Sequence, residues 1–332
     1  MRVMATRHTG SRRRPVARLI GLSIIVMLGV GLLADPAGAA ARPRPRPPLP
    51  DLAISEVKHS RYAFVGESAS AITFCDRTKN IGRAATPRRI HNTMALRGPD
   101  GVLHVVAQRD APKLPKPNKP RRGPRRVFSH RGCANGEGVL NLPPGAYGVV
   151  VCADRRLTEV TKANNCVEGA KSFFVAKRTW SGTASGTGAF IIELQPEAES
   201  WLATSLVYTF DPAAYRNGFF TYRLTAGNVS WKTAASANGC VKSGAAVDGS
   251  PTGMLTINYL DDTYLAFGVK NPGFTYTITN SCDPTGPANG PNHPVFLDSG
   301  LGAPPRPLPF GTVQIAGTRT ELNEFVVTWA LQ

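Results

Sequence analysis

The 23 positions from Arg109 to Arg131 hold nine lysines and arginines against one acid, with five prolines and one glycine among them. Guanidinium and ammonium groups at this density neutralise anions, arginine by paired hydrogen bonds to phosphate or carboxylate and lysine as a point charge. The anion-binding candidates are Lys113, Lys116, Lys119, Arg121, Arg122, Arg125 and Arg126. A charge run is ordinarily a solvated face. Prolines at 112, 115, 117, 120 and 124 keep this one extended, however, and limit the entropy lost when it docks. Trp201, after a polar stretch, and Trp231, in a polar-flanked hairpin, are the candidates for stacking on sugar rings; the plainer reading makes both half-buried core edges.

Catalytic chemistry finds little support. The sequence has no G-x-S-x-G, H-E-x-x-H, phosphate-binding loop or dinucleotide fingerprint. His59, His91, His104, His130 and His293 are scattered, none within four residues of another. Asp261 and Asp262 are adjacent and on a strand would point to opposite faces, whereas glycoside hydrolysis needs two carboxylates facing each other across about 5 to 10 Å. Glu193, inside an apolar run, could find a partner in Asp211 or Glu324. No cofactor and no metal is expected, because no cysteine stands in a C-x-x-C or beside a histidine at zinc spacing.

Cysteine usage and the N-terminus bear on compartment. Six arginines from Arg2 to Arg18 precede an uncharged apolar run of 15 residues, Leu19 to Leu33, and then Ala37-Gly38-Ala39-Ala40-Ala41. That order reads as a cleavable export signal over residues 1–39. The run is shorter than the roughly 20 residues of a membrane span, which leaves a retained anchor as the alternative and no spanning segment expected in the mature chain. Ser11-Arg12-Arg13 hints at twin-arginine export, but Arg14-Pro15 does not supply the apolar pair that should follow. Six cysteines, an even number in an exported chain, read as disulfides.

These groups need elements to hold them. After the signal comes a stiff Pro/Arg-rich linker over 40–49. The charge then changes sign near Trp180: residues 40–179 carry 26 basic and 10 acidic side chains, a net of 26 − 10 = +16, and residues 180–332 carry 7 and 11, a net of 7 − 11 = −4. Two domains follow, 50–178 and 179–332, each expected to fold alone. The first shows short apolar runs between turn residues: Leu52 to Val57, Ser70 to Cys75, Met94 to Arg97, Val102 to Ala107, Ala146 to Ala153 and Ser172 to Val175. With Arg109 to Arg131 as a long inserted loop, this predicts an immunoglobulin-like β-sandwich. Nine further runs, ending in the clean alternation Phe325, Val327, Trp329, Leu331, predict a second β-sandwich or jelly-roll. Gln195-Pro196-Glu197-Ala198-Glu199 could open one short helix. The fold class is therefore all-β.

Several pieces of the first half occur together in a telling order: Pro50-Asp51-Leu52-Ala53-Ile54, Val65-Gly66-Glu67, Lys79-Asn80-Ile81-Gly82, Leu142-Pro143-Pro144-Gly145-Ala146-Tyr147, and Val151-Cys152-Ala153-Asp154 through Glu159 to Asn164-Asn165-Cys166. Over about residues 50–175 this resembles CARDB, the cell-adhesion-related domain of bacteria. The resemblance implies a β-sandwich in secreted or surface proteins, used as a spacer or adhesion module, with no catalytic residues to carry over. Lys162 stands where family members often place a second acid, which weakens any calcium site at Asp154 and Glu159, and the basic insertion is foreign to the pattern. In such a sandwich Cys152 and Cys166 would face each other across a hairpin, and Cys75 would pair with Cys133 by exclusion; three connectivities remain formally possible. Cys240 with Cys282 is the local pair in the second half.

The function expected is a secreted, non-catalytic binding or adhesion module of the cell envelope, its basic loop meeting anionic polymers or polysaccharide. The alternative is a secreted glycan-binding or glycan-hydrolysing protein whose C-terminal domain is active. Export makes nucleic acid an unphysiological partner, and nothing in the pattern specifies an oligomeric state.

Overall fold

The computed structural model describes residues 47–118, 126–192, 195–233, 239–248, 252–270, 275–289, 305–321 and 325–332. The expected export signal over 1–39 and most of the expected linker over 40–49 lie outside these residues. The described chain is all-β, with two single-turn 3-10 segments, Ala69–Ala71 and Pro212–Ala214, and no helix long and apolar enough to cross a membrane.

In the first half the strands are β1 (Leu52–His59), β2 (Tyr62–Phe64), β3 (Thr73–Asn80), β4 (Ile90–Arg97), β5 (Leu103–Ala111), β6 (Phe128–Asn135), β7 (Gly145–Cys152), β8 (Cys166–Glu168) and β9 (Phe173–Ala176). One sheet runs β1-β3-β6; the facing sheet runs β2-β9-β7-β4-β5, with β8 also on β7. All pairs are antiparallel except β2 with β9. Period-two alternation turns Tyr147, Val149 and Val151 of β7 inward, where they meet Leu52, Phe74, Met94, Leu96 and Phe173 as one buried cluster.

The inner face of β3 turns polar along its length. Phe74 is followed at inward positions by Asp76, Thr78 and Asn80, all buried. Burying a charge is costly unless it is paired. Here Arg109 of β5 donates to Asp76 Oδ1 from Nε (2.8 Å) and Nη2 (2.6 Å), while Thr78 Oγ1 (2.7 Å) and Asn92 Nδ2 (2.9 Å) donate to Oδ2. The network ties one sheet to the other. Gly132, opposite Asp76 on β6, leaves the space it needs, since a Cβ there would lie 2.7 Å from Arg109 Nη1. Arg109 is thus a buried strand residue and not the start of a loop. Arg131, on β6, pairs with Glu56 at 2.5 Å. The basic loop is accordingly shorter than its composition suggests and runs from 112 to 127, because the polar inward positions of the first sheet draw Arg109 into the ladder.

The second half comprises β10 (Thr179–Ile192), β11 (Gln195–Phe210), β12 (Phe219–Thr233), β13 (Lys242–Asp248), β14 (Thr252–Asn258), β15 (Thr263–Lys270), β16 (Thr275–Asn280), β17 (Asp283–Asn289), β18 (Arg306–Pro307), β19 (Ile315–Glu321) and β20 (Phe325–Leu331). They form one strongly curled sheet, β17-β16-β13-β12-β11-β10-β20-β19, with β14, β15 and β18 branching from β12. The segment Gln195 to Glu199 is not a helix. It opens β11, with Pro196 opposite Ile191 and Glu197 opposite Phe190, so cross-strand pairing overrides the local helix signal. Trp180, Tyr208, Phe220, Tyr222, Val327, Trp329 and Leu331 make its core.

Three disulfides join Cys75 to Cys133, Cys152 to Cys166 and Cys240 to Cys282. The first two bridge residues directly opposite in the β3–β6 and β7–β8 ladders. Disulfides of this kind belong to an oxidising environment.

Candidate functional site

The strand registers bring four segments to one end of the first sandwich. Leu52 at the start of β1 and Phe128 at the start of β6 both pair with Asn80 at the end of β3, and Ile90 at the start of β4 pairs with Ala111 at the end of β5. Cys152 at the end of β7 pairs with Thr93. The segments 47–51, 81–89, 112–127 and 153–165 therefore emerge together.

They are sewn to one another. Thr86 N donates to Leu114 O (3.0 Å), Leu114 N donates to Thr86 Oγ1 (2.9 Å), and the Leu114 side chain is buried. Asn80 Nδ2 donates to the carbonyls of Ala84 (2.8 Å) and Pro115 (3.0 Å), and Arg83 N donates to Leu49 O (2.9 Å). The basic loop then narrows to a paired neck, Asn118 N to Arg126 O at 3.1 Å and Arg126 N to Asn118 O at 2.9 Å. The Cys75–Cys133 bridge fixes the strand that leaves it.

The charges divide by depth. Arg83, Arg88, Arg89, Lys113, Lys116, Arg126 and Arg155 are exposed, and none forms an ion pair among the described residues. Of the acids at this end, Asp51, Asp154 and Glu159 are turned inward, while Asp110 is exposed and pairs with His91 at 2.9 Å. Asp154 is buried, which by itself disfavours its charge, but the Arg156 side chain and the N–H groups of Arg156 and His91 donate to it and hold its carboxyl below the ordinary range. Burial raises Glu159, whose oxygens accept from Leu52 N (2.6 Å) and Asn165 Nδ2 (2.8 Å). Asp51 Oδ1 accepts from Asn164 Nδ2 at 3.1 Å. The outer surface of this pole is mainly cationic because three of its carboxylates, Asp51, Asp154 and Glu159, serve as internal acceptors. A small hollow of about 190 Å³ between His91, Thr93, Asp154 and Arg155 opens beside it. No three metal-ligating side chains gather among the described residues.

Of the candidates read from sequence, Lys113, Lys116 and Arg126 stand on this surface, while Lys119, Arg121, Arg122 and Arg125 lie outside the described residues. Arg83, Arg88, Arg89 and Arg155 were not among those candidates. They sit 20 to 26 positions outside the basic run of 109–131, and only the strand order brings them beside it. Trp201 and Trp231 stand directly opposite each other in the β11–β12 ladder, and their side chains are not among those described. Glu193 and Glu324 also lie outside. Asp211 caps the Pro212–Ala214 turn and pairs with Arg223, and Asp261 accepts from Asn258 at 2.6 Å, so both are engaged in local structure.

Comparison with protein-family models, with curated proteins and with solved structures finds no match to this chain.

Proposed function

We propose that this protein is a non-catalytic binding module that works outside the cytosol, docking on anionic polymers of the cell envelope through the basic pole of its first sandwich. The observation that carries this reading is the convergence of loops 81–89, 112–127 and 153–165, which together present at least seven exposed cations without an acidic partner among the described residues. Three disulfides and the signal-like N-terminus support an exported protein, and the adhesive role rests on the sequence motifs of the first half that resemble CARDB, which no family model matches. Near an anionic surface each basic residue contributes about 1 kcal/mol at low salt. The attraction fades as the Debye length shrinks from about 10 Å at 0.1 M to about 3 Å at 1 M. The test is retention of the whole protein on an immobilised polyphosphate. The variant with Ser at Arg83, Arg88, Arg89, Lys113, Lys116 and Arg126 should elute at much lower salt than the unaltered chain, with an unchanged melting curve. Equal elution would remove the pole from the binding surface.

A further inference from the structure

The basic pole also carries apolar side chains in the open. Ile81, Val127, Phe128 and Val160 are 37, 41, 40 and 63 % exposed. Single exposed apolar residues need no explanation, but these four are not scattered. Phe128 pairs with Asn80, so Ile81 and Val127 flank that pair at the tip of the β3–β6 ladder. Ile81 N donates to Asp51 O (2.8 Å) and Val160 N to Pro50 O (3.1 Å), which sets Val160, the Pro47-Pro48-Leu49-Pro50 strap, Ile81 and Val127 in sequence across the end of one sheet. Pro47 and Pro48 are exposed as well. Arg83, Arg88, Lys113 and Arg126 stand beside this row on the loops at either hand.

We infer that the partner of this pole is an anionic lipid bilayer, with the apolar row seated at the headgroup–acyl boundary and the flanking cations on the headgroup phosphates. The inference rests on the reading of the pole as an anion-binding surface of the envelope and puts an anionic bilayer in place of a polymer as its partner. A soluble polyanion gains nothing from exposed Val and Phe; a bilayer offers an apolar layer within about 5–10 Å of its charged surface, which matches an apolar row ringed by cations. The pole also lies at the end of the first sandwich away from the second half. That half meets the opposite end, where Phe310 packs edge-on against Tyr147 with ring centroids 5.2 Å apart, so a flat surface can approach. Because apolar insertion is not screened by salt, binding to a bilayer should keep a component that high salt leaves intact, whereas binding to a polymer should not.

The experiment is co-sedimentation of the whole protein with vesicles of phosphatidylglycerol and phosphatidylcholine, beside binding to soluble polyphosphate, each at about 0.1 M and about 1 M NaCl. The variant Val127→Ser, Phe128→Ser, Val160→Ser changes only exposed side chains. It should lose about tenfold or more in vesicle affinity, most visibly at high salt, while binding polyphosphate as the unaltered protein does. If this variant fails to fold, Phe128→Trp decides the matter instead: its emission should shift to the blue with anionic vesicles and stay in place with polyphosphate. Polyphosphate binding without vesicle binding, an apolar variant that matches the unaltered chain on vesicles, or a tryptophan at 128 that stays in water would overturn the bilayer and leave the polymer. Loss of binding to both anions would remove the basic pole itself.

Discussion

At the scale of single residues, Asp76 decides more than any exposed charge. Its side chain is fully buried and holds four donors from two sheets, so it fixes how the sheets face each other and hence where the pole's loops emerge. Removing one partner of a buried pair leaves the other charge uncompensated, at a cost of about 3–5 kcal/mol, whereas replacing both by apolar groups of similar volume is far less costly. Asp76→Ala should therefore lower the urea midpoint strongly, and the double variant Asp76→Leu, Arg109→Met should recover most of the loss; a single variant as stable as the parent would show that the network carries no strain when broken. This feature also marks where the sequence was hard to read. Periodicity finds strands by apolar alternation, and at Asp76, Thr78 and Asn80 the inward positions are polar, so β3 was expected to end at Cys75. Arg109 looked like part of a solvated run because nothing local shows that a carboxylate 33 positions earlier awaits it.

At the scale of elements, the basic loop is held by one apolar anchor. Leu114, 4 % exposed among seven basic neighbours in 112–127, carries the segment into the core, accepts from Thr86 N and donates to the Thr86 hydroxyl. Leu114→Ala should cost about 2–3 kcal/mol and, by releasing the segment, speed tryptic cleavage between Lys113 and Arg126 relative to other sites. Unchanged cleavage would mean that the neck at Asn118 and Arg126 suffices. Strand legibility followed burial. The inward runs of β1, β7 and the Met94–Arg97 half of β4 were readable, but the edge strand β6 shows no apolar alternation. Likewise β12 continues through Ala226-Gly227-Asn228, which reads as a turn, because bulges opposite it in β11, with Ser205 at φ 54°, let the curled sheet absorb the irregularity.

At the scale of the whole molecule, the two halves meet through aromatic rings. Tyr62 and Phe64 of β2 lie 5.5 and 5.2 Å from Phe210, and Phe174 of β9 lies 6.0 Å from Phe220. Phe64, Phe174 and Ala176 are buried with the core of the second half, and Arg178, the last residue of the first half, pairs with Glu67 beside the joint. Gly145 keeps the place clear for Phe310, whose ring a Cβ there would strike. The charge reversal near Trp180 suggested two separately folding halves, but composition does not show which apolar residues face each other. Fragments 50–178 and 179–332 would each uncover part of this aromatic cluster, so each should melt below the intact protein; fragments as stable as the whole would show that the joint contributes nothing.

The polarity of the molecule, with cations at one end of the first sandwich and the second half at the other, is the centre of the account. It is tested most directly by sedimenting the whole protein with isolated cell envelope across a salt series from about 0.1 M to about 1 M NaCl, beside the variant with Ser at Arg83, Arg88, Arg89, Lys113, Lys116 and Arg126. The unaltered chain should pellet at low salt and be released in large part as salt rises, and the variant should stay in solution throughout. A variant that still pellets at low salt would place adhesion elsewhere on the molecule and contradict the account.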